Sequence, residues 1–178
     1  MRNLVRAAAV LALAAGLTTA QSPAQGPQRG AAGSAAAPAQ TIDLASAKKM
    51  AAAAEAAAQA ANAHVVICVM DTNGDVVLLE RMDQTPKLIL VAAQGKARAV
   101  LLFGVPTGQV SDAVRDKKPV NATISPLPIG SGGEITLLRG GLPVMRDGKM
   151  IGAIGVGGSA SETDEKFAQA GIDALNAK

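Results

Sequence analysis

A chain of 178 residues with 49% hydrophobic content supports one domain with a sizeable core. Of its 17 basic residues, Arg2, Arg6 and Arg29 precede Thr41, which leaves 14 basic against all 14 acidic residues in the remainder. A neutral domain of this kind lacks the basic footprint that nucleic acid or an anionic membrane surface requires.

Arg2 and Arg6 stand before the apolar run Ala7 to Leu17, and Thr18-Thr19-Ala20 supplies small residues after it. Charge, apolar stretch and small-residue site in that order read as a secretory signal peptide over residues 1–20. The apolar run is too short to span a bilayer, so no stable membrane insertion is expected. Residues 21–40 are mostly Ala, Gly, Pro, Ser and Gln, which cannot bury enough apolar area to offset ordering entropy, and they read as a disordered linker. The expectation is a periplasmic or secreted protein with a single domain over residues 41–178.

Within that domain, Asp43 can cap a helix from Leu44 to about Asn62, with Leu44, Ala47, Met50, Ala54, Ala58 and Ala61 on one stripe. Val65 to Met70 and Asp75 to Leu79 form two strands around Asn73-Gly74, a hairpin signal. Thr85-Pro86 predicts the start of a second helix, Pro86 to about Leu102, closed by Gly104. Thr107 can cap a short helix through Arg115, and Lys118 to Gly133 is an irregular Pro- and Gly-rich excursion. Glu134 to Leu138 is a further strand candidate. Leu142 to Met145 and Met150 to Val156 then flank Arg146-Asp147-Gly148-Lys149, a second hairpin. After the corner Gly157-Gly158, a last helix runs from Ser161 to near Ala177, with Ser161 and Asp164 as its capping pair. Strands joined as hairpins give a mainly antiparallel sheet of about five strands with helices on its faces, an α+β fold.

Phe103 and Phe167 are the only aromatic residues, and Cys68 is the only cysteine. A core of Ala, Val, Leu, Ile and Met buries little area per residue, which favours stabilisation as a homo-oligomer. Cys68 lies inside an apolar run and reads as a buried small hydrophobe.

Chemistry-bearing patterns are sparse, and no catalytic residue is assigned. His64 is the single histidine, so any Ser–His or Cys–His pair has to use it; at the border of the first strand it reads as an ordinary half-buried residue. Gly155 to Ser159 follows a strand and opens a helix as phosphate loops do, but it lacks the Walker lysine and acidic residues follow it. Lys96, Arg98 and Arg139 are the cations able to anchor a carboxylate or propionate; the plainer reading makes them solvated, or pairs with Asp164 and Glu134. Met70, Met82, Met145 and Met150 are soft-metal or haem-iron candidates that also serve as core filler.

Gly95-Lys96-Ala97-Arg98-Ala99, then Phe103 to Thr107, forms one recurring element. Gly140 to Val144, Asp147-Gly148 and Gly152 to Gly158, followed by Ser161, Asp164 and Glu165, form another. Together these resemble the GlcG/HbpS-like family of haem-binding and glycolate-utilisation accessory proteins, and a similar module is appended to PduO-type corrinoid adenosyltransferases. The resemblance spans about Thr41 to Ala177. It implies a profilin-like α/β/α sandwich, homo-oligomers and, for some members, haem binding.

The resulting expectation is an exported, non-catalytic binding protein for haem or a related tetrapyrrole. The alternative is an enzyme or enzyme accessory acting on a small hydroxy- or oxo-acid such as glycolate. In either case the ligand site is expected between the second helix and the glycine corner, at Lys96, Arg98, Arg139, Gly140, Gly141, Gly157, Gly158 and Asp164, with the glycines leaving room for the ligand. His64 and Met82 are the iron-ligand candidates.

Overall fold

The computed structural model describes residues 41–118 and 135–177. The expected signal peptide, the linker and most of the Lys118 to Gly133 excursion lie outside the described residues.

The first helix, α1, spans Leu44–Ala60, and the Asp43 carboxylate accepts from the Ser46 N–H at 2.7 Å. Its buried stripe is Ala47, Met50, Ala51, Ala54 and Ala58. It stops short of the expected Asn62, whose φ of 52° has left the helical region.

Strands β1 (Val66–Asp71) and β2 (Val76–Arg81) form the first hairpin. Its turn is not the two-residue primed form that Asn-Gly suggests. Gly74 alone in the turn takes a positive φ, 87°, and its N–H donates to the Asp71 carbonyl. Asp71 Oδ1 accepts from the Asn73 and Asp75 N–H groups, which makes a longer turn and shifts the register between Val69 and Met70.

Helix α2 runs Leu88–Phe103 and ends on Gly104 at φ 72°, as expected of a left-handed cap. It begins later than Pro86, and Thr85 does not cap it: its hydroxyl donates to the Val65 carbonyl at 3.4 Å. Helix α3, Thr107–Arg115, turns 81° from α2 and includes Thr107 as its first residue, with Pro106 at the cap position. The second hairpin, β3 (Gly141–Arg146) and β4 (Lys149–Gly157), is the primed two-residue form, with Asp147 at φ 50° and Gly148 at 73°. Helix α4 is Ser161–Asn176, preceded by Ala160 with no side-chain cap.

Among the described residues the sheet has four strands, not the five or so expected, in the order β2-β1-β4-β3, all antiparallel. The strand expected at Glu134 to Leu138 is not formed over its described residues. Thr136 donates its N–H to the Gly95 carbonyl, so the segment bonds to α2 and not to the sheet edge. Helices α1 and α4 cover one face with Ile67, Val69, Val144, Ile154, Val156 and Phe167. Helix α2 covers the other through Ala93, Ala97 and Val100, packed on Val66, Cys68, Met70 and Ala153. This is an α+β fold in the form of an α/β/α sandwich. Gly155 allows α2 to dock so closely: a Cβ there would overlap the Ala93 carbonyl oxygen and lie 2.8 Å from the Ala97 nitrogen. No single helix among the described residues is long and apolar enough to cross a membrane.

Candidate functional site

The strand pairing brings most of the candidate residues to one end of the sheet. Val66 of β1 lies opposite both Arg81 of β2 and Gly157 of β4, while Gly141 of β3 lies opposite Gly155. The chain leaves the sheet here at His64, Met82, Gly140 and Gly158. His64 and Met82 flank the first hairpin, and Gly140 and Gly158 flank the second.

Lys96 of α2 is buried behind this end. Its ammonium donates to the Val156 carbonyl at 2.7 Å and to Asp164 Oδ2 at 2.8 Å. Asp164, in the first turn of α4, accepts from the Ser159 N–H on Oδ1 at 2.9 Å. It therefore does not pair with Ser161 as a cap; its carboxylate reaches back to the corner and across to α2. Burial pushes the Asp164 carboxyl above its ordinary value, against the lowering effect of Lys96 and of the Ser159 and Gly158 N–H groups.

The glycines were expected to leave room for a ligand, and protein atoms fill that room. A Cβ on Gly140, which sits at φ 116°, would lie 2.6 Å from the Val156 carbonyl oxygen and 2.9 Å from the Lys96 ammonium. One on Gly141 would meet the Lys96 carbonyl oxygen and Thr107 Cγ2, each at 2.7 Å. A Cβ on Gly157 would lie 3.3 Å from Ile89 Cγ2 and 3.7 Å from the same ammonium, and one on Gly158, at φ 131°, would overlap the His64 carbonyl oxygen. Thr107 completes the packing by accepting the Gly141 N–H at 2.9 Å.

Arg139 pairs with neither Asp164 nor, among the described residues, any partner in its own loop. It bonds Asp112 of α3 through Nη2 at 2.5 Å and reaches Glu165 of α4 through Nη1 at 3.4 Å. The bond to Asp112 chiefly raises its pKa. Asp112 Oδ1 also lies 3.1 Å from Arg115 Nη1, close enough for an ion pair but without a hydrogen bond. Beside Arg139 an open groove of about 340 Å³ is lined by Arg139, Glu162, Glu165, Lys166 and Gln169. The four α4 residues recur at the spacing of one helical face, so periodicity could have found them; Asp112 left no such signal. The long Glu165 contacts leave Arg139 able to exchange that partner for another carboxylate.

The other candidates stand apart. Arg98 is half-buried and bonds Gln94 along α2 at 3.2 Å, away from Lys96 and Arg139. His64 is exposed rather than half-buried. Met82 accepts the Val65 N–H on its sulfur at 3.5 Å and packs against the core. Among the described residues no group of three or more His, Cys, Asp or Glu side chains could hold a metal ion.

Residues 42–173 match the sequence model of a family described as "Haem degrading protein HbpS-like". The chain is 36% identical over 136 residues to a 15.0 kDa uncharacterised protein from the dhaT–dhaS intergenic region of Citrobacter freundii, covering 76% of this chain and 93% of that one. Its fold matches Klebsiella pneumoniae protein ORFY at 31% identity and a TM-score of 0.69, over 83% of this chain and 99% of that one. It also matches a PduOC:heme complex at 26% identity and a TM-score of 0.66, over 76% and 96% of the two chains.

Proposed function

The chain belongs to the HbpS-like family, and from that premise we propose that it binds haem or a related tetrapyrrole. The observation that carries this reading is the fold shared with a protein solved as its haem complex. Arg139 and Lys166 line the groove beside the sheet end and would hold the propionates. Lys96, Asp164, Gly140, Gly141, Gly157 and Gly158 enter the reading as the packed frame behind the ligand. Bound haem would supply a redox-active iron, and Arg139 and Lys166 would be the residues that hold the group. Haemin titration of the purified chain, followed in the Soret band, tests the reading. A saturable red shift with one haemin per chain is expected, and a folded chain that produces none rules it out.

A second reading is favoured by the size of the groove, about 340 Å³, which suits a small hydroxy- or oxo-acid held by Arg139. Calorimetry with glycolate and glyoxylate separates the two, since neither acid alters a Soret band.

We further propose that the protein is exported, matures near Gln21 and assembles as a homo-oligomer. The apolar residues Leu88, Val114 and Leu138, exposed by 74%, 55% and 57%, favour assembly. Intact Met1 in exported material contradicts the first part. A monomer by light scattering down to low micromolar concentration contradicts the second.

A further inference from the structure

Resting on the second reading above, that the groove takes a small acid at Arg139, we propose that this acid is a zwitterion: an α-amino acid whose carboxylate and ammonium divide the Arg139–Glu165 ion pair between them. The haem and hydroxy-acid readings use the cations of the groove and leave its carboxylates without a part. The lining holds both signs in equal number, Arg139 and Lys166 against Glu162 and Glu165, with Gln169 as its neutral member. Gln169 already donates to Asp173 at 2.7 Å, so the two carboxylates are what remains for a ligand to meet. Glu162 and Lys166 are exposed and, among the described residues, neither forms an ion pair.

The Arg139–Glu165 pair is held on one side and loose on the other. Asp112 bonds Arg139 Nη2 at 2.5 Å and fixes the guanidinium from the α3 side. Nη1 stands 3.4 Å from both Glu165 oxygens, well beyond the roughly 2.7–2.9 Å of a strong charge-assisted bond. Gly108 of α3 backs the same pair: a Cβ there would lie 2.5 Å from Nη1 and 2.7 Å from Glu165 Oε2, so no ligand enters from that side. It reaches the pair from the groove, past Glu162 and Lys166. A simple carboxylate that took Nη1 would leave Glu165 without its counter-charge and facing a second anion, an arrangement by which a site rejects a ligand. A ligand with an ammonium beside its carboxylate leaves no charge unmatched. Its carboxylate bonds Arg139, with Lys166 as the second cation, and its ammonium takes up Glu165, with Glu162 as the second anion. The two charged groups of an α-amino acid sit on one carbon, as near to each other as the two ends of the ion pair they replace.

The test titrates glycine and glycolate into the full chain and into Arg139→Gln and Glu165→Gln, followed by the α4 amide signals in proton–nitrogen NMR spectra. The two compounds share a carboxylate and differ in the ammonium that stands where glycolate has its hydroxyl. The wild type should bind glycine at least about tenfold more tightly than glycolate, the smaller end of what a hydrogen bond between charged groups contributes. Arg139→Gln should lose both compounds. Glu165→Gln should lose the preference: glycolate gains because no internal carboxylate competes for Nη1, and glycine loses the partner of its ammonium. A wild type that takes glycolate as tightly as glycine overturns the inference and leaves the small-acid reading standing, and so does a Glu165→Gln chain that keeps the wild-type preference. An Arg139→Gln chain that binds glycine unchanged overturns it as well. If neither compound moves the α4 signals of the wild type, the small-acid reading falls and this inference with it, while the haemin titration still decides the haem reading.

Discussion

The Lys96 ammonium and the Asp164 carboxylate meet at 2.8 Å with both side chains almost fully buried, joining the middle of α2 to the first turn of α4. Gly140 leaves space for this contact, since a Cβ there would lie 2.9 Å from the ammonium. Both charges have further partners, the Val156 carbonyl for Lys96 and the Ser159 N–H for Asp164. A buried pair offsets its desolvation only when such additional bonds are made.

Removing one member should therefore cost more than the pair itself contributes. Lys96→Met leaves Asp164 buried without its counter-charge and should destabilise the fold by about 3–5 kcal/mol. Combining it with Asp164→Leu should recover part of that loss. Urea denaturation of the single and double variants measures both. A Lys96→Met chain as stable as the wild type would mean that the ammonium is free to serve a ligand.

The same pair sets a pH dependence. The Asp164 carboxyl is raised above 3.8, with burial as the largest cause. A carboxyl raised in the folded state holds its proton more tightly there than in the unfolded chain. Its stabilising contribution is complete below the ordinary value and is lost as pH rises through the raised one. Asp164 is thus not a group through which acid unfolds this protein. Carbon-detected NMR titration should place its midpoint above 3.8, and Lys96→Met should move it higher still. A midpoint at or below the ordinary value contradicts this account.

Gly155 is the point where α2 meets β4 most closely. Gly155→Ala places a methyl group on the Ala93 carbonyl, where helix backbone cannot yield as a side chain can. The expected loss is at the upper end of overpacking, roughly 3 kcal/mol or more. By contrast, Gly148 faces open space, and substitution there strains only its positive φ. Thermal melts of Gly155→Ala and Gly148→Ala should rank in that order; the reverse ranking counts against close docking as the role of Gly155.

Arg139 separates binding from stability. It is 29% exposed, so its ion pairs with Asp112 and Glu165 contribute less than about 1 kcal/mol each to folding. A charge-assisted bond to a propionate is worth about 1.5–3 kcal/mol. Arg139→Gln should therefore weaken haemin binding by more than tenfold while shifting the urea midpoint little. Equal haemin affinity in the variant would place the propionates elsewhere.

Much of this architecture follows from residues acting on their own neighbourhood. Asp147-Gly148 forces a primed hairpin because both positions need positive φ. Asp43 caps α1 because its carboxylate reaches an N–H three residues on, and Gly104 ends α2 because a left-handed residue is cheapest without a Cβ. The family motifs likewise lay in contiguous runs. What the sequence left open was decided by partners far away along the chain. Glu134 to Leu138 looked like a strand, yet Thr136 spends its N–H on Gly95 of α2. The glycines at 140, 141, 157 and 158 have the same local freedom whether a ligand or a protein atom faces them, and only the packing of α2 and α4 showed which. Lys96 finds Asp164 across 68 residues, and Arg139 finds Asp112 and Glu165 across 27 and 26. Charge pairing at such separations depends on which helices lie side by side, and no local spacing carries that information.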